Sequence, residues 1–472
     1  MSAVPEPAAP GRGGRAPMEA RAAAGRIGRL VTVALLLLTA CERGARPAAA
    51  AEPEPSPPSN AAPATEEGAD AEDGTDAEDG SEPGAGTDAA RPPLRETVLW
   101  VGGDVLLTDM IRDWANAHDD PAEGFARILE PVARHWRADR GAFVLVNLET
   151  PVAERRRVPL EGGEVGPGGL APRRLQGPRW LLPGLARAGV DGVVLANNHA
   201  LDQEAEGLEE TIAAAHRAGL AVAGAGTYPR HRWPLVLGDA GRRLAVVPLY
   251  DGRNQRYLDP GDAARSFLDE EGFAQVEAAA EAHDAVVVVV HVLGELRRRP
   301  RTRWRGWARR LVEAGADAIL VHGTHVPMRV ERLEGVPVAW GLGNLVADMA
   351  RRASPRVRFR EALPKIAAAD VREGLVARVA LGEGGLELRF LGTWMNDDRF
   401  VRWRAALPGG DLIEFALLPL SSCEAPAALP AWPAPWRAEV ERWVARRRDH
   451  LFAVSGLQAD RCGAEPTWLR LP

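Results

Sequence analysis

The sequence predicts an α/β fold of apolar strands alternating with amphipathic helices, on three observations. From Thr97 onward, short runs rich in Val, Ile, Leu and Ala alternate with stretches of helical periodicity. The runs are apolar throughout rather than at every second residue, so the sheets they form must be covered on both faces. Run after run ends in a residue that can ligate a metal, and in open α/β folds ligands sit at the carboxyl ends of the strands.

Val98–Val101 is the first strand candidate and ends in Gly102-Gly103-Asp104. Phe143–Val146 ends in Asn147-Leu148-Glu149, and Gly192–Ala196 ends in Asn197-Asn198-His199. Ala285–Val290 leads into His291, and Ala318–Val321 into His322. Helices are expected near 179–188, 204–218, 269–282 and 304–315. Gly374–Leu381 and Leu386–Leu391 read as a hairpin about Glu383-Gly384-Gly385. Residues 410–472 carry Trp432, Trp436, Trp443 and Trp468 among prolines and read as an appendage packed on the core. Gap-filling suits those indoles better than a sugar-binding role.

The chain has 472 residues and a net charge of −7. Residues 1–41 carry +3 and residues 42–95 carry −9, which leaves −1 on the rest. A nearly neutral body gives no reason to expect nucleic acid as a partner. Cysteine occurs only as Cys41, Cys423 and Cys462, without a C-x-x-C pair, which argues against a thiolate metal site. Cys423 and Cys462 both lie in the tail and are expected to form a disulfide in an oxidising compartment.

The N-terminus reads as an address. Arg21, Arg26 and Arg29 precede the apolar run Leu30–Leu38, which is too short to span a bilayer and has signal-peptide shape. Beginning at Met18 gives a more usual length ahead of the run. Leu38-Thr39-Ala40-Cys41 resembles a bacterial lipobox, which implies cleavage before Cys41 and diacylation of its thiol, a stable anchor. Residues 42–95, rich in Ala, Pro, Glu and Asp, read as a disordered acidic tether, since they offer almost no large apolar surface to bury.

Asp104, Glu149, Asn198, His291, His322 and His325 supply the oxygens and imidazoles that hold two divalent ions such as Mn, Fe or Zn. His322 and His325 lie three apart on a Gly-containing loop and can turn into one site. His199 follows Asn198, so its side chain points elsewhere and suits a proton donor to a leaving group. Asp202 is open to two readings, a catalytic role or the N-cap of the helix from Glu204.

Asp104 within Gly-Asp, Asn147-Leu148-Glu149, Asn197-Asn198-His199-Ala200-Leu201-Asp202 and Gly224-Ala225-Gly226 resemble the CapA (PgsA-like) family of poly-γ-glutamate capsule synthesis proteins. Gly315-Ala316-Asp317, His322 to His325 and Leu342-Gly343-Asn344 strengthen the resemblance, which runs from about 97 to 350, with a tail to 392. The family is similar to calcineurin-like metallophosphoesterases. The resemblance therefore implies an α+β sandwich of two facing mixed sheets flanked by helices, with two metals on the six ligands named and Glu149 bridging them. Taken with the composition of its ends, the chain is expected to divide into signal peptide 1–41, tether 42–95, main domain 96–392 and appendage 393–472. Glu295, Asn344, Arg297 and Arg298 become the expected substrate-facing residues. Arg297–Arg310 and Arg351–Arg360 read equally as a dock for carboxylate or phosphate and as solvated surface.

This chain departs from the pattern. Leu106 stands where the phosphoesterases have a histidine, and Val292-Leu293 replace Trp-Gly after His291. The middle histidine is missing from Val321-His322-Gly323-Thr324-His325, and Leu345 follows Asn344 in place of Phe. Two functions fit: a metal-dependent hydrolase or transferase acting on a phosphoester or related bond, and a non-catalytic accessory protein of anionic polymer assembly or export. Both place the chain in the cell envelope, bound to the inner or outer membrane through Cys41 and alongside capsule synthesis or export partners.

Overall fold

A computed structural model describes residues 96–107, 109–155, 174–226, 234–239, 241–252, 266–347, 370–396, 416–420, 434–459 and 469–471. The chain begins with β1 (Thr97–Leu106), α1 (Asp109–Asn116), α2 (Pro121–Ala138), β2 (Phe143–Leu148), α3 (Leu181–Arg187), β3 (Gly192–Val194), α4 (Glu204–Arg217) and β4 (Ala221–Ala223). It continues with β5 (Leu235–Leu237), β6 (Leu244–Asp251), α5 (Glu270–Ala282), β7 (Ala285–Val292), α6 (Thr302–Glu313), β8 (Ala318–His322), β9 (Val330–Leu333), β10 (Val336–Ala339) and β11 (Asn344–Ala347). The last described elements are β12 (Glu373–Gly382), β13 (Gly385–Asn396), β14 (Ala416–Leu420), α7 (Ala434–Ser455), β15 (Gln458–Ala459) and β16 (Leu469–Arg470).

The strands form two mixed sheets. The larger runs β15-β16-β13-β12-β1-β2-β3-β4, with β11 also beside β1 and β14 beside β13. Strands β1 to β4 are mutually parallel, whereas β12 runs antiparallel to β1. The smaller sheet runs β5-β6-β7-β8-β10-β9, parallel at its centre and antiparallel at both edges.

Side-chain alternation shows how the sheets stack. Leu99, Val101, Leu145 and Val194 of the larger sheet share one buried cluster with Val246, Val287, Val289 and Leu320 of the smaller. The alternate residues Trp100, Val144 and Val193 pack outward with Phe125, Ile128, Leu129 and Trp136 of α2 and with α3 and α4. On the far side, Val286, Val288 and Val290 pack with Phe273 and Val276 of α5 and Trp304 and Leu311 of α6. The layers are therefore helix, sheet, sheet, helix, with two facing sheets as expected. Every residue of β7 is buried, so its unbroken valine run fills cores on both faces, each side chain contributing about 1.5–3 kcal/mol.

The expected boundary at 392/393 falls inside β13. Beyond it, β14 and β16 pair with β13, and Leu418, Leu451 and Leu469 enter the core between the sheets. The described tail thus continues the larger sheet. Gly392 makes this packing fit, because a Cβ there would lie 2.7 Å from Leu451 Cδ2. Among the described residues, no helix is long and apolar enough to cross a membrane. Cys41, Cys423 and Cys462, the tether, Met18, Trp432, Trp468 and the Arg351–Arg360 cluster lie outside the described residues.

Candidate metal centre

The site begins with a break in β1. Up to Val101 this strand pairs with β12, and from Asp104 it pairs with β11, with the register shifting on both flanks. Gly102-Gly103 permits the swing. A Cβ on Gly103 would lie 2.1 Å from the Gly343 carbonyl oxygen, which accepts the Asp104 amide at 3.1 Å. Only glycine admits so close an approach, and the result is a fully buried Asp104 carboxylate. Glu149 follows β2, anchored by its amide on the Val105 carbonyl at 3.1 Å. Asn198 and His199 sit on the turn after β3, and His291 and His322 are paired across β7 and β8. His325 has φ +57, a left-handed conformation that costs a non-glycine residue energy and that clusters at functional sites.

Five of the six expected ligands surround a small volume. Ligand atoms of Asp104, Glu149 and His325 all lie within 4.8 Å of one another. His325 Nδ1 is 3.2 Å from Asp104 Oδ2, and its Nε2 is 3.7 Å from Glu149 Oε1. His291 Nε2 is likewise 3.7 Å from Glu149 Oε1 and donates to Asn198 Oδ1 at 2.8 Å. The sixth, His322, donates from Nε2 to the Gly102 carbonyl at 3.0 Å. Its Nδ1 is buried without a hydrogen-bond partner, as are both carboxylate oxygens of Glu149. A buried carboxylate with neither oxygen satisfied is costly unless a cation completes it.

The charges are in conflict without such a cation. Burial pushes the Glu149 carboxyl up to about 7. Burial also drives His291 down to about 3 and lowers His322. At His325 the penalty of burial is outweighed by Glu149 and Asp104, which raise it to about 10. Asp104 is buried too, but the hydrogen bond and charge of His325, with His291 and His322 nearby, hold it below the usual carboxylate range. Two carboxylates, three imidazoles and an amide oxygen form a donor set suited to divalent first-row ions.

His199 stands beside this cluster, its Nε2 3.9 Å from Glu149 Oε1. Its Nδ1 donates to Asp202 Oδ2 at 2.6 Å, and Asp202, despite the penalty of burying the imidazole, raises its pKa. Asp202 also accepts the Leu175 amide at 2.6 Å. The residue at the N-cap of α4 is Gln203, so the capping alternative for Asp202 is not what the structure shows.

The expected substrate-facing residues divide. Glu295 is exposed and close enough for its charge to act on Glu149, His199 and His325. Arg297 is exposed, while Arg298 is paired with Asp370 at 2.6 Å. Asn344 is buried behind His325, accepting from its Nδ1 at 3.0 Å and donating to the Val371 carbonyl at 2.8 Å, so it does not line an open surface. In the first arginine cluster, Arg303, Arg305, Arg309 and Arg310 are paired with Asp251, Glu331, Glu334 and Glu270. Leu106 packs with Val326, Ala347 and Val371 in a small apolar cluster, so no ligand comes from that position.

Asn147 and Asn197 were not singled out as site residues, yet they form the frame of the site. Asn147 Nδ2 donates to Asp104 Oδ1 at 2.8 Å and lies 3.2 Å from His291 Nδ1. Asn197 Nδ2 donates to Asn147 Oδ1 at 3.1 Å, and Asn197 Oδ1 accepts the His199 amide at 3.0 Å. Their one signal in sequence is an amide at the same kind of strand end as the ligands themselves.

The profile of bacterial capsule synthesis protein PGA_cap matches residues 98–349. Similar proteins include a "Probable polyglutamine synthesis accessory protein" of Mycobacterium tuberculosis (strain ATCC 25618 / H37Rv), 27% identical over 287 residues, 53% of this chain and 74% of that one. The "PGA biosynthesis protein CapA" of Bacillus subtilis (strain 168) is 31% identical over 166 residues, 32% of this chain and 41% of its own length. The "Capsule biosynthesis protein CapA" of Bacillus anthracis is 31% identical over 169 residues, covering 34% and 41%.

Proposed function

The chain belongs to the bacterial capsule synthesis protein family PGA_cap, and from that premise we propose that it is a metal-dependent hydrolase or transferase serving the synthesis of an anionic envelope polymer. The observation that carries this reading is Glu149. Its buried oxygens have no hydrogen-bond partner and face imidazoles of His199, His291 and His325 at 3.7–3.9 Å. Asp104, His322 and His325 would hold one divalent ion, Asn198 and His291 the other, with Glu149 shared. Bound ions would supply Lewis-acid activation and neutralise charge developing on a phosphoester or related group. The protein's own part in the reaction is to orient these ligands through Asn147 and Asn197 and to hold a proton on His199 Nε2, oriented by Asp202, for a leaving group. Glu295, whose charge reaches Glu149 and His199, would face an incoming substrate. Cys41 would anchor the chain to an envelope membrane by lipidation, where capsule synthesis partners work.

A second reading, a non-catalytic accessory role, is favoured by Leu106, whose apolar surroundings leave the site one ligand short of the phosphoesterase pattern. It agrees with the accessory role named for the mycobacterial relative. Metal analysis of the purified protein, followed by turnover of bis-p-nitrophenyl phosphate, separates the two. Metal bound with turnover supports the enzyme, and metal bound without turnover supports the accessory reading. A protein that binds no divalent ion from excess Mn²⁺ or Zn²⁺ defeats the metal site altogether.

A further inference from the structure

Behind His325 lies an ionic cluster whose members, apart from Arg298, fall beyond the family segment that ends at residue 349. Asp370, Glu373 and His450 bring oxygens and a ring nitrogen within 4.8 Å of one another, which alone suggests a second cation site. The cation is already there. Arg447 of α7 donates to Glu373 Oε1 at 2.5 Å and to Asp370 Oδ1 at 2.7 Å. His450 Nδ1 lies 3.0 Å from Glu373 Oε2, and Arg298 reaches the other Asp370 oxygen at 2.6 Å. Glu373 is fully buried and Asp370 nearly so. The guanidinium fork therefore fixes the turn 370–373 against α7 in a low-dielectric setting, where such pairing is most directional.

That turn touches the metal centre. The Val371 carbonyl between the two carboxylates accepts Asn344 Nδ2 at 2.8 Å. Asn344 also donates to the His325 carbonyl at 3.2 Å, which orients its amide with Oδ1 toward the His325 ring. Oδ1 can only accept, so it selects a proton on His325 Nδ1, 3.0 Å away. Asp104 Oδ2, 3.2 Å from the same nitrogen, is a second acceptor, so the preference rests on both and weakens when either is removed. When the ring is neutral, it then turns its unprotonated Nε2 toward Glu149. Partners of this kind on the far ring nitrogen fix both tautomer and orientation of a ligating histidine.

We propose that α7 is a working part of the metal centre: through Arg447 and the turn 370–373 it holds Asn344, and Asn344 is the positioning residue that sets the tautomer and aim of His325. This rests on the metal-site reading above for its functional consequence but not for its geometry.

The test uses the full chain, with Mn²⁺ alone as the calorimetric probe and ring ¹⁵N spectroscopy of metal-free protein, brought above the raised His325 value of about 10 so that the ring is neutral, to read the His325 tautomer, assigned with His325→Gln. Wild type should show the proton on Nδ1. Asn344→Leu should mix the tautomers and weaken Mn²⁺ binding about 10–100-fold. Arg447→Met should do the same more weakly, about 3–10-fold, with Arg447→Lys recovering part of the loss. A merely structural role would lower the melting temperature and leave the tautomer unchanged well below it. The proposal is overturned if Asn344→Leu and Arg447→Met both keep the wild-type tautomer and bind Mn²⁺ within twofold of wild type. Should Asn344→Leu fail to fold, Arg447→Met and Asn344→Asp, which keeps the acceptor, decide the matter by the same two readings. Should wild type bind no Mn²⁺, the metal-site reading falls, and the tautomer still decides the clamp.

Discussion

The two sheets contribute different chemistry to the same buried cluster. The larger sheet supplies oxygen: Asp104 from β1, Glu149 after β2 and Asn198 after β3. The smaller supplies imidazole: His291 from β7, His322 from β8 and His325 from the loop that follows. Neither half has a full ligand set. Only the packing of Val101 and Leu145 in one core with Val289 and Leu320 brings them together, so the candidate ligand set belongs to the sandwich and not to either sheet. The oxygen half also carries the unresolved charge, since Glu149 is buried without a hydrogen-bond partner, whereas His291 settles as a neutral ring between Asn147 and Asn198.

This contrast can be broken from either side. The largest effect is expected from removing one donor per sheet: Glu149→Ala and His325→Ala should each weaken Mn²⁺ or Zn²⁺ binding beyond the roughly 100-fold limit of outer-sphere changes, with circular dichroism unchanged. A variant that retains wild-type metal content removes that residue from the ligand set. Next, His199→Ala should keep its metal while any phosphodiester turnover falls about 10²–10⁴-fold. Loss of metal would make His199 a ligand instead.

A smaller effect concerns stability. Without metal, the folded state holds a proton on Glu149 up to about pH 7, against a reference value of 4.5. The folded state then binds more protons than the unfolded one across that window, so this group's contribution is full below pH 4.5 and is lost as pH rises through 7. His291, depressed to about 3 from 6.5, acts with the opposite sign between those values. Glu149→Gln removes the first of these, so the metal-free variant should gain on wild type through pH 4.5–7, by about 3 kcal/mol at the top. Urea midpoints at several pH values measure the difference. Mn²⁺ at about 1,000 times Kd should reverse the ranking, since saturation at that level stabilises a binder by about 4.1 kcal/mol. An unchanged ranking would mean that Glu149 does not engage the ion. The smallest effect belongs to the exposed arginines. Arg310→Ala breaks a solvent-exposed pair with Glu270 and should leave the melting temperature within error.

Much of this was legible along the chain. The valine run of β7 and the hairpin of β12 and β13 follow from local periodicity. So do α4, α5 and α6, observed within two residues of expectation at each end. Other elements were not foreseen. Pro248 demotes the run Leu244–Asp251 as a strand, yet β6 is parallel to β7 along its whole length, with Pro248 in register with Val289. Helix α2 announces itself in retrospect by Asp120, which caps Ala122 at 2.9 Å, and by Pro121 at its first turn. Asn344 was expected at the substrate because its motif resembled a site, but a side chain's direction depends on what packs behind it. The arginines of α6 likewise could not reveal their acidic partners, which lie on α5, β6, β9 and the turn after β9.

By itself the sequence determined several of the strands and helices, β7 and α4 to α6 among them, and which ligand-capable residues stand at the strand ends, because periodicity and terminal polarity are local properties of the chain. The tertiary structure alone decided that β1 changes partners at Gly103, that the carboxylates meet the histidines across two sheets, and that Asn344 faces His325 rather than solvent. Those facts depend on register and on contacts between residues as far apart in the chain as Asp104 and Asn344, and no short-range pattern encodes them.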